Sequence, residues 1–167
     1  MYNPEKAHYI AVTGIIVKDG KYLIAKRAEW QKDFPNKWTV PGGKIEMKDY
    51  VNREVSTPGA KQWYNVLEDV LKREVREEVG LEIKDIGYVT NLIFIRKDGI
   101  PCMVISLFAY PDSDEIKLSN ELSEYKWISL HELKNYDFID GIAEEIEMVD
   151  YYSKSGKLPD WNEMRKK

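Results

Sequence analysis

Apolar and polar residues change their period along this chain, and the changes mark its elements. Tyr9 to Val17 is apolar and rich in β-branched residues. Lys18-Asp19-Gly20-Lys21 then supplies a tight turn, and Tyr22 to Lys26 resumes an extended pattern, so a hairpin is expected. Ala28 to Lys37 is polar and ends in Pro35-Asn36, a loop signature. Trp38 to Val40 reads as a short strand stopped by Pro41-Gly42-Gly43. From Leu67 to Val79 the period becomes helical: Leu67, Leu71, Val75 and Val79 recur at every fourth position, and Gly80 marks the stop. Extended patterns return at Ile86 to Arg96 and Met103 to Tyr110, joined at Lys97-Asp98-Gly99, and again at Tyr125 to Ile128. Ser129 with Glu132 forms a capping box. A last helix is predicted over Ile142 to Tyr152, followed by a partly mobile tail from Ser153 to Lys167.

Strands around one central helix, with further helices at the end, predict an α/β sandwich of two or three layers. The 167 residues suit one domain, and no repeat or linker divides them. The chain is 43% hydrophobic and 32% charged, too apolar for a disordered protein. Lys and Arg total 25 against 29 Asp and Glu, a net charge of −4. That balance gives no general cationic field, which argues against nucleic-acid or anionic-membrane binding. A polyanionic substrate then requires a local offset such as a metal ion. Met1 to His8 lacks a signal-peptide pattern, and the apolar runs are too short to span a bilayer. A lone Cys102 permits no internal disulfide. A reducing, cytoplasmic setting is expected.

The sharpest chemical signal is Arg73-Glu74-Val75-Arg76-Glu77-Glu78-Val79-Gly80-Leu81. With Leu67 at the angular origin, the apolar stripe runs from roughly 0° to roughly 120°, with Val70 at roughly 300°. Glu78 then falls at roughly 20°, Glu74 at roughly 340° and Glu77 at roughly 280°. Carboxylates at i, i+3 and i+4 repel one another, and they do so more strongly when partly desolvated. Glu74 and Glu78 beside the core stripe therefore need compensation. Neighbouring arginines are one source, and a divalent cation is the other. Hard carboxylate oxygens suit Mg²⁺ or Mn²⁺.

Upstream, Gly42-Gly43-Lys44-Ile45-Glu46-Met47 follows a strand, and glycines there allow a backbone to approach a ligand or helix closely. Together, these two segments resemble the box of the Nudix hydrolases in its MutT-like form. The family pattern is a glycine, five residues, an acid, seven residues, and then Arg-Glu, aliphatic, any, Glu-Glu, any, Gly, aliphatic. Gly43 is followed after five residues by Asp49, and Arg73 to Leu81 matches the second half completely. The preceding hairpin and Trp127 also suit the family, so the resemblance covers most of residues 8 to 150. Asp49 stands where the family has glutamate. Tyr50 to Lys72 separate Asp49 from Arg73, a spacer far longer than the family's, and the excess spans about 50–64. Glu46, Glu54 and Glu68 are therefore alternatives to Asp49 as the acid that braces Arg73.

The resemblance implies a Nudix-type α/β/α sandwich with a mixed sheet and a central catalytic helix. It also implies Mg²⁺-dependent hydrolysis of a diphosphate linkage in a nucleoside diphosphate derivative. Glu77 and Glu78 would be metal ligands, Glu74 a ligand or general base, and Arg73 an organiser of these carboxylates. Gly43 and Lys44 would complete the metal-side turn, with Lys44 also near phosphate. Glu121, six residues before Trp127, resembles the family's late catalytic glutamate, in competition with Glu115 and Glu124. For the base, Trp30, Phe34, Trp38 and Trp63 offer aromatic faces. A nucleoside triphosphate pyrophosphohydrolase ranks ahead of a nucleotide-sugar or ADP-ribose pyrophosphatase, since no proline stands fifteen residues after Gly80. A non-catalytic nucleotide-binding module is the reading from another class, and an isomerase of the isopentenyl diphosphate type is a third. A homodimer is possible by family analogy.

Overall fold

The computed structural model describes residues 4–164. A short 3-10 turn, Pro4–Lys6, leads into β1 (Tyr9–Lys18), which pairs antiparallel with β2 (Lys21–Arg27). The turn between them places Asp19 at φ 51° and Gly20 at φ 71°, the left-handed pair that matches the twist of a two-residue hairpin. Then come β3 (Trp38–Thr39), β4 (Gly42–Lys44), the helix α1 (Val66–Val79), β5 (Ile83–Ile95), β6 (Pro101–Pro111) and β7 (Leu122–Ile128). The chain closes with α2 (Ile142–Ser155) and a single helical turn, α3 (Trp161–Met164).

The sheet has seven strands in the order β3-β2-β1-β6-β5, with β4 added to β1 and β7 to β2. It is mixed: β1 and β6 run parallel at its centre, and the other pairings are antiparallel. Alternation along β1 sends Val12 and Ile16 to one face, Ile15 and Val17 to the other, and both sets are buried. The first set packs with Val70, Leu71, Val75 and Val79 of α1, and the second with Ile146, Met148 and Val149 of α2. The result is a three-layer α/β/α sandwich, the arrangement the family resemblance implies and one of the two the pattern allows.

One detail of the sheet positions the site. Along the edge of β1 that faces away from β6, the first half pairs with β4 (Ala11 to Thr13 against Lys44 to Gly42), while the last residues pair with β2. Partners diverge around Gly14, whose N–H donates to the Pro41 carbonyl at 2.8 Å. A side chain at Gly14 would meet Leu71 of α1, so this glycine lets the helix lie close over the fork.

Several boundaries differ from the sequence pattern. The Pro-Gly-Gly segment continues as a short strand rather than a free turn, because glycines can press flat against β1. β5 starts at Ile83, three residues before the expected Ile86, where the polar Lys84-Asp85 and shifts in pairing register obscure the alternation. α2 runs to Ser155, three residues past the expected Tyr152, and Leu158, Trp161 and Met164 pack against the α2-side core. Residues 1–3 of the amino-terminal stretch and 165–167 of the tail lie outside the described residues. Among the described residues no helix is long and apolar enough to cross a membrane.

Candidate active site

Burial along α1 follows the helical angles. Glu78, nearest the apolar stripe, is 8% exposed, the Glu74 side chain is 14% exposed, and that of Glu77 is 56% exposed. One carboxylate oxygen of Glu78 accepts the Gly42 N–H at 2.9 Å. Burial pushes this carboxyl up to about 8; the Gly42 N–H and Arg27 oppose that rise, while Glu74 and Glu121 add to it. Glu74 is also raised, first by burial and then by Glu77 and Asp49, with Arg73 working against both.

Arg73 gathers the other acids. Its guanidinium meets Asp49 at 2.7 Å, Glu74 at 2.9 Å and Glu77 at 2.9 Å, and also donates to the Lys44 carbonyl at 3.4 Å. Of the four acids that could brace Arg73, the structure brings Asp49 into this position. Asp49 is held in turn by a capping box, in which its carboxylate accepts the Glu46 N–H at 2.7 Å. Burial raises the Asp49 carboxyl, and this is outweighed by the Glu46 N–H and Arg73, leaving it below the usual range.

The long excursion after Asp49 does not pull that acid away, because it folds back onto the start of α1. Arg53 pairs with Asp69 at 2.7 Å, Trp63 donates to the Arg53 carbonyl at 3.2 Å, and Tyr50 stacks at a tilt on Trp63.

The glycines define how close α1 comes. A methyl group at Gly43 would overlap the Glu74 carboxylate, and one at Gly42 would overlap the Val12 carbonyl and stand 2.8 Å from the Thr13 Cα. These clashes differ in kind. Gly42→Ala collides with backbone and is expected to lower stability by about 1–3 kcal/mol, seen as a fall of several degrees in the thermal midpoint. Gly43→Ala displaces only the end of a flexible side chain, so its melting curve should stay near wild type while Glu74 loses its place. Thermal melts of the two variants, side by side, check this ordering.

Glu121 comes from the loop before β7 and is exposed, yet it is fixed. Gln31 donates to its carboxylate at 3.2 Å, Arg27 donates to Gln31 at 3.0 Å, and the Ala28 N–H donates to the Glu121 carbonyl at 2.9 Å. The loop that bears it meets α1 directly, with the Ser119 N–H donating to the Glu78 carbonyl at 2.8 Å, and the Glu121 charge adds to the rise of the Glu78 carboxyl. Lys44 meets the cluster through its carbonyl, which accepts from Arg73, while its exposed side chain places the ammonium 5.6 Å from the Tyr9 ring. Trp38 is not brought to the cluster. It is 7% exposed in the α2-side core, with its ring edge-on to Tyr136 at 5.0 Å. Cys102 is 2% exposed and its thiol is raised by burial, so it is an inert core residue.

In the sequence Gly42 reads only as part of a turn, and no pattern there singles out Gln31 or Arg27. Gly42 carried a signal, since a second glycine beside Gly43 frees another backbone N–H for close approach. Gln31 carried none, since its partner lies 90 residues away.

As placed, no three acidic side chains among the described residues are gathered tightly enough to chelate an ion. Glu77 is drawn to Arg73, and Glu78 to Gly42. The donor set nevertheless suits a divalent cation. Arg73 serves Asp49, Glu74 and Glu77, and Glu78 and Glu121 add two more carboxyl groups against Arg27, so acids outnumber guanidinium groups here.

A family model described as NUDIX domain matches residues 8–148. Nucleoside triphosphatase NudI of Escherichia coli strain K12 is 27% identical over 137 residues, covering 75% of this chain and 85% of that protein. Among solved structures, the MutT protein from Methanosarcina mazei Go1 is 27% identical with a TM-score of 0.62, covering 90% of this chain and 99% of that one. The NUDIX domain of Shewanella oneidensis NrtR, solved with ADP ribose, has a TM-score of 0.65 at 17% identity, covering 92% of this chain and 93% of that one. The match to the family model runs from the turn before β1 into α2 and takes in α1 with its glycine strand, and the chain belongs to the NUDIX family.

Proposed function

We propose that this protein hydrolyses nucleoside triphosphates at an internal phosphoanhydride, releasing nucleoside monophosphate and pyrophosphate. The observation that carries this reading is the buried Glu78, tied to the Gly42 N–H and faced by Glu74 and Glu121. A structural helix gains nothing from such an arrangement. A site for a divalent cation and a polyphosphate does.

Glu74, Glu77 and Glu78, with the backbone of Gly43, are the residues that would hold Mg²⁺ or Mn²⁺. The ion supplies charge cancellation on the diphosphate and Lewis acidity toward water and phosphoryl oxygen. The protein's own groups do the rest. Arg73 fixes Glu74 and Glu77 against Asp49, and Gln31 fixes Glu121 beside Glu78. Lys44, exposed at the edge of the cluster, meets substrate phosphate. Water adds across one P–O–P bond; its proton passes to a carboxylate of this cluster, and the electron pair of the broken bond leaves on the departing phosphate oxygen. The likeness to NudI favours a triphosphate over a nucleotide sugar.

Product analysis across nucleoside triphosphates, nucleotide sugars and ADP-ribose tests the reading. The expected result is a monophosphate and pyrophosphate from a triphosphate, with slower turnover of the sugar derivatives. Preferred cleavage of ADP-ribose would replace the triphosphate reading, and nucleotide binding without turnover of any compound would replace it with a binding module.

A further inference from the structure

We infer that Trp30 is the stacking platform for the nucleobase, an inference that rests on the nucleotide reading of the acidic site. The indole is 61% exposed, an unusual position for so large an apolar ring. It is also anchored. Its Nε1–H donates to the Asn120 carbonyl at 3.2 Å, one residue before Glu121. The segment that bears it is fastened on both sides, by the Ala28 N–H to the Glu121 carbonyl and by Gln31 to the Glu121 carboxylate. Arg27 closes the base of the loop, donating to the Asp33 carbonyl at 2.9 Å and to Gln31. A web of hydrogen bonds thus holds one exposed ring beside the late glutamate.

The other aromatic candidates are committed elsewhere or lack an anchor. Trp38 is in the core, and Trp63 stacks with Tyr50 and donates to Arg53. Phe34 has no polar handle to fix its ring. Trp30 has no ring partner among the described residues, so its face is available. A planar, preorganised indole binds any base through its π-face and reads the ring rather than its edges. The site would therefore take nucleotides with broad base tolerance, with affinity set by stacking area.

Steady-state kinetics on Trp30→Ala and Trp30→Phe with a nucleoside triphosphate test this, with inorganic tripolyphosphate as a competing inhibitor that has no base. The expected result is a KM raised roughly tenfold or more in Trp30→Ala, with part of the loss recovered in Trp30→Phe, which keeps a ring face and loses the anchor to Asn120. The inhibition constant of tripolyphosphate should be the same in wild type and Trp30→Ala. A KM within about twofold of wild type in Trp30→Ala, on an enzyme that still turns over, overturns the platform and leaves the hydrolase reading standing. A tripolyphosphate constant that weakens in parallel with KM overturns it too, because the loss then lies in the phosphate site. Should the wild type turn over no nucleotide, calorimetric binding of the triphosphate to both proteins decides: weaker binding in Trp30→Ala sustains the platform, and equal binding overturns it.

Discussion

Glu78→Gln is expected to abolish most turnover while leaving the fold intact. The amide keeps an oxygen for the Gly42 N–H and keeps the side chain's volume, so α1 has no reason to move. What disappears is the ionisable carboxyl at the most buried point of the cluster: Gln cannot shed a proton there, so it cannot offer a cation the carboxylate that Glu78 becomes when one binds. A loss of kcat of roughly 10²–10⁴ is expected, the range for removing a group that takes part in proton transfer or charge stabilisation at the reacting centre. The circular dichroism spectrum and melting curve should stay near wild type. Glu77→Gln should cost less, because Glu77 is exposed and already shared with Arg73. If Glu78→Gln retained more than half of the wild-type kcat, Glu78 would be a buried structural acid and the site would lie elsewhere.

The second large effect concerns stability rather than activity, and falls on the other face of the sheet. Glu145, in the first turn of α2, is 1% exposed, and its carboxylate oxygen Oε2 has no hydrogen-bond partner. Its contact is the Ser106 hydroxyl of β6, which also receives a hydrogen bond from Thr13 of β1 at 3.1 Å. Burial pushes the carboxyl up to about 7; Ser106 partly opposes this and the neighbouring Glu144 adds to it. Between the unfolded value of 4.5 and about 7, the folded protein therefore holds a proton that the unfolded chain has released. Stability from this group is complete below the unfolded value and is lost as pH rises through the folded one. Glu145→Gln removes the penalty. Denaturant melts should show the variant gaining about 3 kcal/mol over wild type at alkaline pH and little at acid pH. In metal-free protein Glu78 titrates in the same sense, and the difference between wild type and Glu145→Gln cancels its contribution. A gain independent of pH would show that Glu145 is ionised at neither extreme, or paired at both.

Much of this was legible in the sequence, and particular residues show why. The phase of α1 was set by Leu71, Val75 and Val79, and it placed Glu78 correctly among buried groups because a helix fixes angle from spacing alone. The β1–β2 hairpin was legible because Asp19-Gly20 tolerates the backbone its turn demands. The start of β5 was not, since Lys84 and Asp85 interrupt its alternation and Asp85 sits at φ 51°. Contacts that join distant segments were the least legible. Asp49 is placed by β4 and its capping box, but that it still meets Arg73 across so long a spacer depends on contacts such as Arg53 to Asp69, which no local pattern encodes. Gln31 meets Glu121 only because β2 and β7 are neighbours, with Arg27 aligned to Leu122. The division of β1 between β4 and β2 likewise depends on strand pairing. It turned an apparent Pro-Gly-Gly turn into the strand whose N–H meets Glu78.

In the proposed function, the carboxylates of α1, held over the Gly42-Gly43 strand, make a cation-dependent site for phosphoanhydride hydrolysis. Turnover of a nucleoside triphosphate, measured after exhaustive chelation and again as Mg²⁺ is restored, tests it most directly, with Mn²⁺ binding followed in parallel by its magnetic resonance signal. The expected result is no turnover in chelator, full recovery with Mg²⁺, and Mn²⁺ binding that weakens in Glu78→Gln along with the rate. Undiminished turnover in chelator, or Mn²⁺ binding equal in wild type and Glu78→Gln, would contradict it.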